Sequence, residues 1–313
     1  MLSELIQGKL KNWIWFDLIF NSLFKMHNYV IQKIQWWLWN QMFQYAFVKA
    51  LSLRNNIDFK LDITSYEKYF RPYELEIFDI DRNYAGETEI PFYEKIGDWI
   101  IKWCLIRLNC THHCESVSYK HPLKFDSKNL FIKKWYISWS FMSELYFKDQ
   151  WESIKKDFQF IKPISHKTDD IEKMIRRSNS VSVHIRRWDY LKHADVYPEL
   201  WRDYYLQAVE LIKRKIENPF FVFFSDDIEY ARQSFEFLND VLFVSHNRWN
   251  DSWQDMYLMS KCKHNITAHS TFSWRGGYLN DNEKKVVITP REWFVKSSKY
   301  YENDIIPKSW LVI

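Results

Sequence analysis

Short apolar runs alternate with amphipathic stretches through most of this chain, and that alternation limits its fold more than any other feature. Tyr29 to Ile34 reads as a strand, Gln41 to Leu53 as a helix and Ile57 to Ile63 as a second strand, a β-α-β opening. Further on, Val181 to Ile185 predicts a buried strand, and the helix after Asp203 puts Tyr205, Val209, Ile212 and Ile216 on one face. Strands at Phe220–Phe224, Val241–Val244, Asn265–Ala268 and Lys285–Thr289 then alternate with helices at Ile228–Leu238, at Asp251–Lys261 and from Trp274. Strands separated by helices need right-handed crossovers and so pair in parallel. The expected class is α/β with two Rossmann-like domains, 26–165 and 166–313, divided near Lys162 to Asp170 where Pro163 and Ser165 break the pattern. The stretch from Pro72 to Lys134 is irregular, aromatic and charged, without repeats.

Composition sharpens this picture. The chain has 313 residues, 44 Lys+Arg against 40 Asp+Glu, and a formal charge of +4. That charge is too slight to indicate a nucleic-acid partner. Four cysteines in so long a chain make no disulfide framework, which points to a reducing, cytoplasmic setting. Cys110-Thr111-His112-His113-Cys114 does not have the spacing of an established zinc module, and no metal site is expected there. The apolar patch Trp13 to Phe20 is too short and too broken by Asp17 to span a bilayer. Residues 1–25 are either upstream sequence before a true start at Met26 or an amphipathic extension that brings the chain to the inner face of the membrane. Only 5 residues are glycine while 17 are tryptophan. Added together, the two types reach the usual glycine share of about 7%.

In open parallel sheets, ligands bind beyond the carboxyl ends of the strands. The first such end carries His184-Ile185-Arg186-Arg187-Trp188-Asp189. Adjacent guanidinium groups repel each other and present donor forks suited to phosphate, so an anionic ligand is one resolution and an internal pair between Arg187 and Asp189 the other. The second end carries Ser225-Asp226-Asp227, able either to accept hydrogen bonds from a guanine edge or ribose or simply to cap the next helix. The third carries Ser270-Thr271-Phe272-Ser273, hydroxyls and amides at a helix start that suit phosphate. Together the three ends suit a nucleoside diphosphate. A fourth segment, Gln35-Trp36-Trp37-Leu38-Trp39-Asn40-Gln41, joins the first strand to its helix. Three tryptophans in such a tight turn are expected to leave their rings in solvent.

With glycine at 36, 37, 39 and 188, these segments together with Phe224-Ser225-Asp226-Asp227, Asp255 to Ser260 and Ser270 to Trp274 closely resemble the bacterial α-1,2-fucosyltransferases over about residues 29 to 310. The resemblance implies a GT-B-like fold and inverting transfer of L-fucose from GDP-fucose to the 2-hydroxyl of a galactose-terminated glycan, with no obligatory metal or other cofactor. It casts Arg186 as the catalytic cation that neutralises the departing β-phosphate, assisted by Ser273 and Thr271, with His184 and Asp226 on guanine and ribose. Arg187, Asp189 and Ser225 support the loops, and Asn40 and Gln41 line the cleft from the opposite domain. The general base stays open among Asp189, Asp62 and several histidines. Other linkages or another GDP-sugar fit the same fold. Trp36, Trp37, Trp39 and Trp188 stand at family glycine positions, as do Trp139, Trp201 and Trp249 on a looser alignment. A gene that uses UGA for glycine, read with UGA as tryptophan, produces this pattern. Taken literally, the rings fill the donor cleft and leave an inactive, aromatic-rich glycan-binding protein.

Overall fold

The computed structural model describes residues 29–67, 72–91, 94, 113–114, 123–131, 136–200, 202–301 and 303–313. The amino-terminal stretch 1–25, Cys110 to His112 and Trp201, about which the sequence raised expectations, lie outside the described residues.

Two parallel sheets build the molecule. In the first, β1 (Tyr29–Lys33) pairs with β2 (Asp58–Asp62) on one side and β4 (Tyr136–Ile137) on the other, with β3 (His113–Cys114) beyond β4. Helix α1 (Leu38–Asn55) makes the crossover from β1 to β2 and buries Met42, Phe43, Tyr45, Phe47 and Leu51. It ends at Asn56, whose φ of 50° is the left-handed turn that stops a helix, with its N–H donating to the Ser52 carbonyl.

Short helices α2 (Trp151–Asp157) and α3 (His166–Arg177) lead into the second sheet. Ser165 caps α3 by accepting the Thr168 N–H, so the break at Pro163 to Ser165 is a helix start. The sheet comprises β5 (Asn179–Ile185), β6 (Pro219–Ser225), β7 (Val241–Val244), β8 (His264–Ile266), β9 (Val287–Thr289) and β10 (Leu311–Val312). It also carries helices α4 (Trp188–Lys192), α5 (Arg202–Lys215), α6 (Ile228–Phe235), α7 (Trp253–Lys261) and α8 (Thr271–Leu279). Strand β6 is a run of aromatic and β-branched residues, and β5 alternates Val181, Val183 and Ile185 with Ser180, Ser182 and His184; its residues from Ser180 on are all buried, as an interior strand of a parallel sheet requires.

The strand order is β10-β9-β8-β5-β6-β7, all parallel. The chain runs outward from β5 through β6 to β7, then returns to lay β8 against the other side of β5. The connections therefore diverge between β5 and β8, the topological switch point at which open α/β sheets form their ligand crevice. The β1–β4 border plays the same part in the first sheet. Two parallel sheets with flanking helices constitute the GT-B-like class expected from the sequence. Contacts cross residue 165 near the carboxyl end, where the Asp304 carbonyl accepts from Ser143 Oγ at 2.6 Å and its carboxylate from the Phe125 N–H at 2.8 Å.

Two tryptophans occupy left-handed backbone, Trp36 at φ 71° and Trp249 at φ 54°, while no glycine among the described residues has positive φ. Trp37, at φ −76°, precedes α1 in extended backbone, and Trp39 and Trp188 are helical. Positions 36 and 249 thus have the geometry glycine favours. The rings of the β1–α1 turn are not left in solvent as expected. Trp37 and Trp39 stack at 4.9 Å between centroids, and both are half-buried.

Candidate active site

The β5–β8 border gathers several of the residues singled out in the sequence. Arg186 immediately follows β5, and α8 begins at Thr271, five residues after β8. His184, the penultimate residue of β5, lies 5.5 Å from Phe272 between ring centroids, which joins the two strand ends directly. The Ser270 side chain makes no capping hydrogen bond, and the first helical bond of α8 runs from the Trp274 N–H to the Ser270 carbonyl. The amides of Thr271, Phe272 and Ser273 accordingly precede the helical ladder, a donor cluster suited to an anion. Ser273 is buried, and its hydroxyl donates to the Ser270 carbonyl at 3.2 Å.

His184 is 4% exposed and its Nδ1 has no hydrogen-bond partner. Burial, then the neighbouring Arg186 and His269, push its pKa down to about 3, so the imidazole is neutral at physiological pH. A buried, neutral ring nitrogen without a hydrogen-bond partner has an unused capacity to accept or donate one.

The adjacent arginines find their counter-charges one strand away. Arg186 Nε lies 3.4 Å from Asp226 Oδ2, and Arg187 Nε lies 3.5 Å from Asp227 Oδ2. Arg187 also stacks on Tyr230, 3.6 Å from the ring centroid. Their mutual repulsion is thus relieved inside the protein, so that repulsion alone does not call for an anion, and the switch point and the α8 amides have to add to it. Arg187 holds its loop through Asp227 and Tyr230; the Asp189 side chain is not among those described. Asp227 caps α6 by accepting the Tyr230 N–H, and Ser225 Oγ accepts the Asp227 N–H. Asp226 accepts the backbone N–H of Arg187 at 3.0 Å and of Trp188 at 3.1 Å, a clamp that the sequence did not reveal.

Across the crevice, the amino-terminal half presents the β1–α1 turn. Trp39 meets Phe272 edge-on at 6.2 Å, placing the start of α1 against the start of α8. Asn40 is half-buried with Oδ1 unpartnered. Gln41 departs from the expectation that it lines the cleft. It is fully buried, its amide donates to the Trp36 carbonyl at 3.0 Å and its carbonyl accepts the Glu74 N–H at 3.0 Å, so it braces the turn from beneath. Asp62 likewise leaves the set of candidate bases: it is buried, and its oxygens accept from Thr64 and, at 2.6 Å, from the Tyr136 hydroxyl.

Residues 3–313 match glycosyl transferase family 11. The chain belongs to that family. An Escherichia coli alpha-1,2-colitosyltransferase is 31% identical to this family 11 glycosyltransferase over 299 residues, 91% of this chain and 98% of the relative. The O-antigen biosynthesis glycosyltransferase WbnK of E. coli is 38% identical over 137 residues, 43% of this chain and 44% of the relative. Galactoside alpha-(1,2)-fucosyltransferase 1 of Leontocebus fuscicollis is 27% identical over 156 residues, 45% of this chain and 40% of the relative. For these last two the matched part is under half of either protein. Among solved structures, the fucosyltransferase NodZ from Bradyrhizobium superposes with a TM-score of 0.47 at 15% identity, over 81% of this chain and 92% of NodZ. The family match makes the chain a glycosyltransferase. No helix among its described residues is long and apolar enough to cross a membrane.

Proposed function

We propose that this chain transfers L-fucose from GDP-fucose to the 2-hydroxyl of a terminal galactose on a glycan, with inversion at the anomeric carbon. The observation that carries the reading is the convergence, at the β5–β8 switch point, of Arg186, the open Nδ1 of His184 and the uncapped amino terminus of α8. In the reaction the acceptor oxygen forms a bond to fucose C1 while the bond from C1 to the β-phosphate oxygen breaks. The hydroxyl proton passes to water, and GDP departs carrying the electron pair of the broken bond. Negative charge grows on the β-phosphate in the transition state, and Arg186 neutralises it with help from the Thr271 and Ser273 amides. Arginine takes the place of a divalent cation in this scheme, so no metal is required. His184 meets the nucleotide from the floor of the crevice, and Asn40 faces the acceptor from the opposite half.

A second reading keeps the linkage and changes the donor. The 31% identical relative is named for transfer of colitose, which is L-fucose without its 3-hydroxyl, so a GDP-linked 3,6-dideoxyhexose is the alternative.

The test offers the full chain GDP-fucose or GDP-colitose with galactose-terminated oligosaccharides and reads product linkage by NMR. Expected is an α-1,2 product that forms equally well in excess chelator, with Arg186→Ala lowering the rate by about 10²–10³. Absence of GDP binding by calorimetry, or full activity in the Arg186→Ala chain, overturns the reading.

A further inference from the structure

We propose that Asp226 is a positioning residue that straps the turn after β5 and aims Arg186, and that it does not read the nucleoside. The inference rests on the crevice being a GDP site. Both carboxylate oxygens are committed to the protein's own chain: Oδ1 accepts the Arg187 N–H at 3.0 Å and Oδ2 the Trp188 N–H at 3.1 Å. Oδ2 also sits 3.4 Å from Arg186 Nε, and the side chain is only 17% exposed. Three successive residues after β5 are therefore held by one carboxylate at the end of β6.

The parallel register explains why Asp226 can do this. Ile185 lies opposite Ser225, so the residues that follow each strand leave the sheet side by side. A carboxylate one residue beyond β6 meets the amides one and two residues beyond Arg186. Those amides open α4, where a negative charge is also favoured by the helix dipole. The neighbouring pair completes the brace, since Arg187 lies between Asp227 and Tyr230 while Asp227 caps α6. With Nε paired and the next two amides held by the same carboxylate, the Arg186 guanidinium is preorganised in this proposal, which is the condition for an electrostatic group to act in a transition state without reorganisation.

The two possible roles of Asp226 predict different ligand dependence. A carboxylate that touches guanine or ribose contributes equally to GDP and GMP binding. One that aims Arg186 at the β-phosphate contributes to GDP alone. The experiment measures GDP and GMP affinities by calorimetry on the full chain and on its Asp226→Asn, Arg186→Ala and doubly substituted forms. Expected is a roughly tenfold loss for GDP in Asp226→Asn with GMP changed less than twofold, no further GDP loss when Asp226→Asn is added to Arg186→Ala, and a fall in kcat larger than the rise in donor KM. Equal losses for GDP and GMP, or additive losses in the double variant, overturn the proposal. If the unaltered chain binds neither nucleotide, the GDP reading itself has failed, and that result is distinct from either. Should Asp226→Asn not fold, hydrogen exchange in the unaltered chain decides: slow exchange of the Arg187 and Trp188 amides without ligand supports the strap, and exchange as fast as an unstructured amide overturns it.

Discussion

Trp36 is a bulky aromatic residue held at φ 71°, with its carbonyl fixed by Gln41 and by the Tyr66 hydroxyl. The turn imposes that geometry whatever residue occupies it. A left-handed backbone costs a residue with a Cβ about 1–2 kcal/mol, whereas glycine adopts it freely at an unfolded-state cost of about 0.4–1 kcal/mol. Trp36→Gly is therefore expected to stabilise the chain by up to about 1 kcal/mol and to raise the melting temperature by about 2–4 °C in scanning calorimetry. A lower melting temperature would mean that ring packing outweighs backbone strain. The tryptophan excess, legible in composition, thus has a physical counterpart at position 36, and at 249, where the ring is 80% exposed. At 37, 39 and 188 the backbone makes no such demand. Other residue roles were out of reach of the sequence. That Asp226 would turn to the amides of Arg187 and Trp188, or that Arg187 would find Asp227, depends on β5 and β6 lying side by side in a particular register.

At the scale of elements, the packing of α7 against α8 sets where the uncapped amino terminus of α8, proposed to meet the diphosphate, points. Gly276 sits at that contact: a Cβ placed on it would lie 2.6 Å from Met259 Cβ, an atom anchored to the α7 backbone and unable to swing aside. Gly276→Ala is expected to destabilise the protein by about 1–3 kcal/mol, measured by urea titration. It should also weaken GDP binding, because relief of the clash moves the helix that presents Thr271 to Ser273. An unchanged midpoint would show that α7 can yield. The elements themselves were largely legible. Strands β5, β6 and β7 fall within a residue or two of their expected bounds, because runs such as Phe220 to Phe224 have few alternatives to a buried strand. Helix α8, expected from Trp274, begins at Thr271. Ser270, Thr271 and Ser273 favour turns and caps locally, and only the surrounding packing draws them into the helix. That three-residue difference matters chemically, since it puts the free amides beside His184. Sheet order was not legible, because periodicity carries no information on which side of β5 the chain returns.

In the whole molecule one apolar cluster is built from both halves. Phe43 of α1 packs 5.0 Å from Trp274 of α8, Trp274 lies 5.6 Å from Trp310, and the Trp274 indole donates to the Ile305 carbonyl at 2.7 Å. Surface from both halves is removed from water together, so unfolding is expected as one calorimetric transition rather than two. Within that core lies a costly group. Arg275 is fully buried, none of its three guanidinium nitrogens has a hydrogen-bond partner, and its charge rests 3.5 Å from the centroid of the Phe43 ring. Burial drives its pKa well below the ordinary arginine value. A cation–π contact returns about 2 kcal/mol when desolvated, less than the several kcal/mol lost in taking an ion out of water. Arg275→Leu keeps the apolar contact with Phe43 and removes the charge. It is expected to raise the single melting transition by several degrees, a gain of about 1–4 kcal/mol. If Arg275→Leu instead splits the transition in two, the guanidinium is what couples the halves, with its stacking on Phe43 and Trp274 serving as the link.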